Sequence, residues 1–395
     1  MPTSHARPIA ALSALALLFG AFVPAQQQDG DPKPPKIAFS SRRKPKAATE
    51  LAMLAALQWL AVHQSPDGHW ACAGFAEQCG PEKCGGTGDA AFDTGVTGLA
   101  LLAYLGAGYT QNEGPYAATV SRGLAWLMSV QSDEGLFGPR KSKRFQYNHA
   151  CAALAMVEAC GMTGTESLRG SAQKAVAWIM RSKNEKHGWR YGVADGDNDA
   201  SITGWMALVL KSAAMAKLEV DPRALADAAE FIDEMTDPVT GRTGYQAKGG
   251  LPCRFGEKTA ESFPPQKSEA PTAIGMLVRI DAGHGPSDPM ILKGAELLGR
   301  LLPRWEPASL DFDYWHFGSL AMYQVGGDPF DKWNEAMKAT IIPHQHRDPT
   351  RHDCGSWDPV DAWSAAGGRV YSTAMLCLCM EIYYRYPRIF GVNKK

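Results

Sequence analysis

The sequence Gln64-Ser65-Pro66-Asp67-Gly68-His69-Trp70 decides the fold, because its pattern returns along the chain. It follows Leu57-Gln58-Trp59-Leu60, a segment with helical spacing and an aromatic residue near its end. The later copies are Leu124-Ala125-Trp126-Leu127 with Gln131 to Phe137, and Val176-Ala177-Trp178-Ile179 with His187-Gly188-Trp189. Because each unit has an apolar face that only a neighbouring unit can cover, the repetition predicts a repeat architecture.

Helical periodicity continues from about Ala47 onward, and no run of alternating β-branched residues predicts a strand. The predicted outer helices lie near 47–63, 116–131, 167–182, 222–235, 289–302 and 329–341. The predicted inner helices start near Asp93, Tyr147, Asp199, Glu269, Asp313 and Arg369. Asp-Pro pairs at Asp221, Asp288 and Asp328 predict an N-cap followed by proline at the first helical position.

The six helix pairs align on one position in each inner helix, and small residues such as Gly98, Gly204 and Gly318 follow that position. Small side chains allow close helix approach, and the inner helices are more uniformly apolar than the outer ones. We therefore predict an all-α fold, a single α/α toroid of six helical hairpins with an inner and an outer ring. This domain is predicted to span residues 47–390.

Two predicted segments precede the toroid. Residues 1–25 carry Arg7, an apolar stretch from Ile9 to Val23 and the ending Val23-Pro24-Ala25, which is typical of a secretory signal peptide. Residues 26–46 are polar and Pro-rich, so we predict a disordered linker there. The sequence thus predicts an exported protein, periplasmic or secreted, without a stable membrane span.

Charge and cysteine content limit the possible partners. The 40 Lys and Arg residues balance 41 Asp and Glu residues, so nothing favours nucleic acid as a partner. In an exported chain, the loop cysteines are candidates for disulfide bonds. These candidates are Cys72, Cys79, Cys84, Cys253 and Cys354. The spacing of the first three lacks the paired C-x2-C elements of a zinc site, so we predict neither a metal nor another cofactor.

The Gln64–Trp70 and Gln131–Phe137 stretches resemble the Gln-x-x-x-Gly-x-Trp repeats of the prenyltransferase and squalene cyclase family. The resemblance covers essentially everything after Ala47 and implies the α/α toroid fold of terpenoid cyclases and protein prenyltransferases. It also implies that the repeat residues hold the fold together rather than react. These residues are Gln64, Trp70, Gln131, Trp178 and Trp189.

The catalytic motifs of that family are incomplete here. The nearest match to the Asp-x-Asp-Asp motif of triterpene cyclases is Asp195-Gly196-Asp197-Asn198-Asp199, which lacks the adjacent aspartate pair. In Asp311-Phe312-Asp313-Tyr314-Trp315, Asp313 stands where the zinc-binding thiolate of prenyltransferases would fall, and Ser372 stands where their histidine would. The thioester sequence of a third group of relatives is absent as well.

The predicted site lies where the inner helices begin, because a toroid gathers their N-termini around one mouth of its cavity. Asp93, Asp199 and Asp313 are predicted to face this opening as catalytic carboxylates, with helix capping as the alternative for each. His149 and Tyr371 are predicted to assist them. The aromatic residues nearby suit an apolar or carbohydrate ligand, with packing in the core as the alternative. The predicted ligand-binding residues are Tyr147, Trp205, Trp315 and His316.

Three hypotheses on function follow. The first is an exported terpenoid cyclase- and prenyltransferase-like repeat protein that binds an apolar or isoprenoid-like ligand in its cavity. The second is a polysaccharide hydrolase or lyase that uses two of the cavity carboxylates. The third is a scaffold for a protein partner whose identity the sequence does not indicate. The sequence leaves open whether the protein is an enzyme.

Overall fold

The computed structural model describes residues 47–185 and 187–385. The predicted signal peptide at 1–25, the predicted linker at 26–46 and the last predicted toroid residues, 386–390, lie outside the described residues. Thirteen α-helices and no β-strand occur in the described part of the chain. The all-α prediction is therefore confirmed.

Six helices form an outer ring. They are α1 (Ala47–Val62), α3 (Ala117–Ser129), α5 (Glu166–Ser182), α7 (Pro222–Glu234), α10 (Pro289–Arg300) and α12 (Gly327–Ile341). Each outer helix packs against the inner ring, and all but α3 contact the inner helices on both sides. Asp221 and Asp288 cap α7 and α10 as predicted. The cap predicted at Asp328 is wrong, because α12 begins at Gly327 and Asp328 lies inside its first turn.

Six further helices form the inner ring, and a short helix, α8 (Glu257–Ser262), lies in a loop. The inner helices are α2 (Asp93–Gly106), α4 (Phe145–Thr163), α6 (Ala200–Met215), α9 (Ala270–Asp281), α11 (Phe312–Val325) and α13 (Ser364–Arg385). Each contacts the next, and α13 packs against α2, so the ring is closed. The six predicted hairpins and the toroid are confirmed.

Close approach of the inner helices depends on their small residues. A Cβ atom on Gly98 would lie 2.5 Å from the backbone carbonyl carbon of Cys151 in the next inner helix. A Cβ atom on Gly204 would lie 2.4 Å from Cγ2 of Ile274. Since both distances are below van der Waals contact, these two glycines permit the spacing of α2, α4, α6 and α9.

The repeated glutamines connect each turn to the neighbouring hairpin. The Gln64 side-chain amide donates to the Gly68 carbonyl at 2.7 Å and to the Thr119 carbonyl of α3 at 3.0 Å. Gln131 makes the equivalent bonds to Gly135 and to Ser171 of α5. These residues therefore hold the fold together.

Gln345 repeats this geometry where the chain closes on itself. Its side-chain amide donates to the Gly355 carbonyl at 2.8 Å and to the Ala52 carbonyl of α1 at 2.7 Å. The last turn is thereby hydrogen-bonded to the first helix. We call the contact between the loop before α13 and the α1–α2 hairpin the ring seam.

The repeat tryptophans bind the end of the preceding outer helix. Trp70 Nε1 donates to the Leu60 carbonyl at 2.7 Å, and Trp189 Nε1 donates to the Ile179 carbonyl at 2.8 Å. Both indole rings are fully buried. Trp178 is also buried, but it packs in a smaller apolar cluster with Leu136 and Phe145.

All nine cysteines are free thiols in the described part of the chain, so the predicted disulfides do not form there. The positions predicted to bridge were Cys72, Cys79, Cys84, Cys253 and Cys354. Cys79 and Cys84 do lie close together, with both sulfurs within 3.5 Å of His63 Nε2. Among the described helices, none combines the length and apolarity that crossing a membrane requires.

Candidate active site in the central cavity

A cavity of about 470 Å³ opens at the N-terminal ends of the inner helices. The inner helices contribute Gly95, Val96 and Leu99 from α2, Tyr147, Asn148 and Cys151 from α4, Ser201 and Trp205 from α6, Asp313 from α11, and Tyr371 and Met375 from α13. Most of these side chains are apolar or aromatic. The cavity therefore suits a ligand that is largely apolar and has a small number of polar contacts.

Asp313 is the acidic residue of the inner helices that lines this cavity. It lies in the first turn of α11, and a side-chain hydrogen bond joins it to Trp205. Since the indole N–H can only donate, Asp313 is the acceptor. Burial, followed by the charges of Asp311 and Asp361, raises the pKa of Asp313 to about 8. The carboxyl is therefore protonated at neutral pH and can donate a proton.

Asp311 and Asp361 lie beside Asp313 and are almost fully buried. Asp311 accepts from the Arg254 guanidinium at 2.7 Å and caps α11 by accepting from the Tyr314 N–H at 3.1 Å. Burial, opposed in part by hydrogen bonds from Ser364 and other groups, raises the pKa of Asp361 to about 7. The Arg254 guanidinium, which is paired with Asp311, opposes part of the rise in the pKa of Asp313.

Two tyrosines connect the cavity to its polar surroundings. The Tyr371 hydroxyl donates to Asp361 Oδ2 at 3.4 Å, and Phe312 donates its backbone N–H to the same oxygen at 2.8 Å. The Tyr147 hydroxyl donates to Ser201 Oγ at 2.9 Å. Burial raises the pKa of both tyrosines well above its usual range, so both remain neutral hydrogen-bonding groups.

Loop residues complete the wall of the cavity. The Arg144 guanidinium lies 3.2 Å from the ring centroid of Phe255, whose ring packs edge-on against Trp363. Trp363 Nε1 donates to Asp311 Oδ1 at 2.9 Å. These contacts give the wall two aromatic surfaces and one cation.

Asp93 and Asp199 do not line the cavity, although the sequence predicts that they share an opening with Asp313. Asp199 is fully buried as the N-cap of α6, where it accepts from the Ile202 N–H at 2.8 Å and the Tyr245 hydroxyl at 2.8 Å. Asp93 accepts from the Cys72 N–H at 2.7 Å. The register predicted for Asp313 is wrong, because the N-cap residue of α11, which corresponds to Asp199 in α6, is Asp311, and Asp313 lies inside the helix.

His149 serves the fold and does not line the cavity. Its Nδ1 accepts from the Phe137 N–H at 3.1 Å, and its Nε2 lies 3.2 Å from the Ala175 carbonyl, to which it donates. In other repeats a threonine accepts from the backbone at this position, as Thr97 does from the Trp70 N–H at 3.0 Å. Burial lowers the pKa of His149 to about 3, so the ring is neutral.

The remaining predicted ligand-binding residues divide between the cavity and the core. Tyr147 and Trp205 line the cavity. His316 lies behind Trp205, with ring centroids 5.7 Å apart and planes at 15°. Trp315 is buried against Phe312, at a centroid distance of 5.2 Å. His316 and Trp315 therefore support the wall from outside.

Sequence reasoning did not identify Arg144, Asn148, Arg254, Asp361 or Trp363 as site residues. All except Asn148 lie outside the regular helices or in the cap position before one, where the repeat alignment gives no register. The Asp311-Phe312-Asp313 stretch did carry a signal, because two carboxylates this close in sequence at a buried helix start shift each other's pKa.

Solved structures share this fold over most of the chain. An inactive variant of an α-1,6-mannanase from Salegentibacter, in complex with α-1,6-mannotriose, has a TM-score of 0.57 at 9% identity over 85% of this chain and 99% of that chain. An α-amylase from Clostridium perfringens has a TM-score of 0.54 at 11% identity over 86% of this chain and 99% of that chain. The type II terpene cyclase MstE from Scytonema, without ligand, has a TM-score of 0.52 at 12% identity over 85% of this chain and 97% of that chain.

No family model matches the chain, and no curated protein matches its sequence. At these identities the structural likeness shows the fold, which is the α/α toroid. Both terpene cyclases and glycoside-cleaving enzymes are among the structural neighbours. The relation to the squalene cyclase family remains a resemblance in the repeat residues.

Proposed function

We propose that this protein binds an apolar, isoprenoid-like ligand in the central cavity and that Asp313 acts on it as a general acid. The observation that carries the proposal is a carboxyl with a pKa of about 8 at the wall of a mostly apolar, aromatic cavity. A carboxylic acid that stays protonated at neutral pH can donate to a weakly basic carbon or oxygen. MstE, whose complex with the substrate geranylgeranyl dihydroxybenzoate has a TM-score of 0.50, supports this ligand class.

The proton transfer can be written so that it balances. The Asp313 O–H bond breaks, the π electrons of an alkene form the new C–H bond, and a carbocation remains on the neighbouring carbon. The faces of Trp205 and Tyr147 line the cavity and can stabilise that charge. The Trp205 N–H stabilises the carboxylate left on Asp313. Transfer of a proton from a carbon next to the cation to this carboxylate forms a new double bond and restores the acid.

The test compares wild-type protein with Asp313→Asn and Asp199→Asn. Each protein is incubated with linear polyprenyl and squalene-type substrates, ligand binding is titrated, and products are analysed by mass spectrometry. Asp313→Asn is expected to bind within about threefold of wild type but to lose at least about 100-fold in turnover. Asp199→Asn is the matched control, because asparagine also caps helices and position 199 lies outside the cavity.

Two results would contradict this function. One is the absence of any bound isoprenoid, both after purification and on titration. The other is turnover by Asp313→Asn that equals that of wild type.

A glycan-cleaving function is the second candidate, because two carboxylates, Asp89 and Asp313, line the cavity. Glycosidases use one carboxyl as a general acid and a second as a base or nucleophile. Asp313, which is protonated, would be the acid, and Asp89, which is exposed at the rim, would take the second role. Hydrolysis of α-1,6-mannooligosaccharides or α-glucans that is lost in both Asp89→Asn and Asp313→Asn would favour this candidate. No release of reducing sugar from these glycans by the wild-type protein would exclude those substrates.

A further inference from the structure

Two histidines and two cysteines meet at the ring seam, away from the central cavity. His63 follows α1, and Cys79 and Cys84 lie in the loop between α1 and α2. His352 lies in the loop between α12 and α13, at the other end of the chain. We call these four residues the seam cluster.

Three members of the seam cluster, His63, Cys79 and His352, have the mutual distances of metal ligands, and Cys84, which lies beside His63, is the candidate for the fourth ligand. His63 Nε2 lies 3.3 Å from Cys79 Sγ and 3.5 Å from Cys84 Sγ. The possible ligand atoms of His63, Cys79 and His352 all lie within 4.8 Å of one another. In a tetrahedral zinc site with bonds of about 2.1 Å to nitrogen and 2.3 Å to sulfur, neighbouring ligand atoms are about 3.6 Å apart.

The surrounding hydrogen bonds orient His63 toward the two sulfurs. His63 Nδ1 lies 2.8 Å from the Trp59 carbonyl, so Nδ1 carries the proton and the Nε2 lone pair faces the two sulfurs. The Cys84 N–H donates to Cys79 Sγ at 3.4 Å. His352 Nε2 accepts from the Gly80 N–H at 3.2 Å, so this ring nitrogen is unprotonated, and a metal ion bound to it would replace that hydrogen bond.

Burial and charge also fit a metal ion. His63, Cys79 and Cys84 are 1%, 7% and 5% exposed. Two thiolates balance the charge of one divalent cation, so a complex with two neutral imidazoles carries no net charge and can be buried. Two sulfur and two nitrogen ligands in tetrahedral arrangement favour zinc over calcium or magnesium.

We propose that His63, Cys79, Cys84 and His352 bind one structural Zn²⁺ that fastens the first hairpin to the last. Four protein ligands leave no open coordination position, so the ion has no part in the chemistry of the central cavity. This differs from the sequence expectation, which gives no metal and makes Cys79 and Cys84 candidates for disulfide bonds. A disulfide would leave the approach of two histidines to the same thiols without a function.

The experiment uses the full-length chain purified with reductant and zinc, and then dialysed. Metal content is measured by mass spectrometry of the digested protein, and the ligand set is measured by X-ray absorption at the zinc edge. Zinc affinity is compared by competition with a chromophoric chelator in wild type, Cys84→Ser, His352→Gln and Cys354→Ser. Cys354 lies two residues from His352 and outside the cluster, so Cys354→Ser is the matched control.

Wild type and Cys354→Ser are expected to hold about one zinc per chain with two sulfur and two nitrogen ligands. Cys84→Ser and His352→Gln are expected to lose at least about 100-fold in affinity. Because the absorption spectrum is recorded on wild type, the test remains decisive if a variant does not fold. A Cys79–Cys84 disulfide in the purified protein, or free thiols at both positions without bound zinc, would overturn the proposal.

Discussion

In our proposal the chemistry of the cavity depends on Asp313, and the protonation of this residue also links stability to pH. Burial raises its pKa from 3.8 to about 8. Between about pH 4 and pH 8 the folded state keeps a proton that the unfolded chain releases, so the folded state binds more protons. This contribution to stability is fully present below about pH 4 and is lost as the pH rises through about 8.

We expect Asp313→Asn to remove this part of the pH dependence. Its melting temperature should fall less than that of wild type between about pH 5 and pH 9, and near pH 9 the variant should be more stable by at least about 1 kcal/mol. Differential scanning calorimetry across this range measures the effect. Asp199→Asn provides a comparison, because the pKa of Asp199 rises only to about 6. The contribution of Asp199 to the pH dependence of stability therefore ends at a lower pH. Parallel curves for wild type and Asp313→Asn would contradict the raised pKa.

The sequence predicted Asp313 as a site residue, and its neighbour Asp311 indicated a shifted pKa, but the size of the shift was not predictable. The pKa depends first on the burial that the closed ring produces, and also on Asp311 and on Asp361, which comes from the loop before the next inner helix. Asp93 and Asp199 look similar in sequence and yet bind backbone N–H groups. A capping carboxylate and a cavity acid differ by one or two helical positions, which a repeat alignment does not resolve.

The outer and inner helices were predictable because their signals are local. Apolar spacing, Asp-Pro caps and Gly-centred turns all act within a few residues, and the turns recur in successive hairpins. His149 shows the limit of this reasoning, because it occupies a repeat position that a threonine holds elsewhere. An unusual residue at a repeat position can supply the same hydrogen bond as the usual residue. Its presence alone therefore does not indicate a functional role.

We expect His149→Ala to destabilise the protein without altering the chemistry of the cavity. The variant leaves the buried Phe137 N–H without a partner, removes the bond to the Ala175 carbonyl and creates a void, which together cost about 2–4 kcal/mol. Chemical denaturation measures this loss, and ligand binding is measured on the folded fraction. His149→Thr, which restores an acceptor for Phe137, should recover part of the stability. Loss of turnover in His149→Ala with unchanged stability would instead make His149 catalytic.

The closed ring gives the whole molecule one interface that chain connectivity does not reinforce. Neighbouring hairpins elsewhere are joined by a loop, so they stay close when a contact between them opens. The first and last hairpins meet only through side-chain and backbone contacts such as those of Gln345 and, in our proposal, the seam cluster. Opening the ring seam therefore frees both ends of the described toroid at once.

We expect Gln345→Ala to weaken the ring seam more than Gln131→Ala weakens the contact between the turn after α3 and helix α5. Each variant removes a side-chain amide that donates to two carbonyls, but Gln345 is buried and its interface lacks a connecting loop. Loss of about 1.5–2 kcal/mol in local opening free energy corresponds to amide exchange at least about tenfold faster.

Hydrogen exchange with mass spectrometry should show this acceleration in peptides from α1 and residues 343–358 of Gln345→Ala. In Gln131→Ala the acceleration should be smaller and limited to peptides near α3 and α5. Zinc content is held equal in both samples, so that the seam cluster does not mask the difference. Equal acceleration at the two interfaces would mean that the ring seam is no weaker than the interfaces joined by the chain.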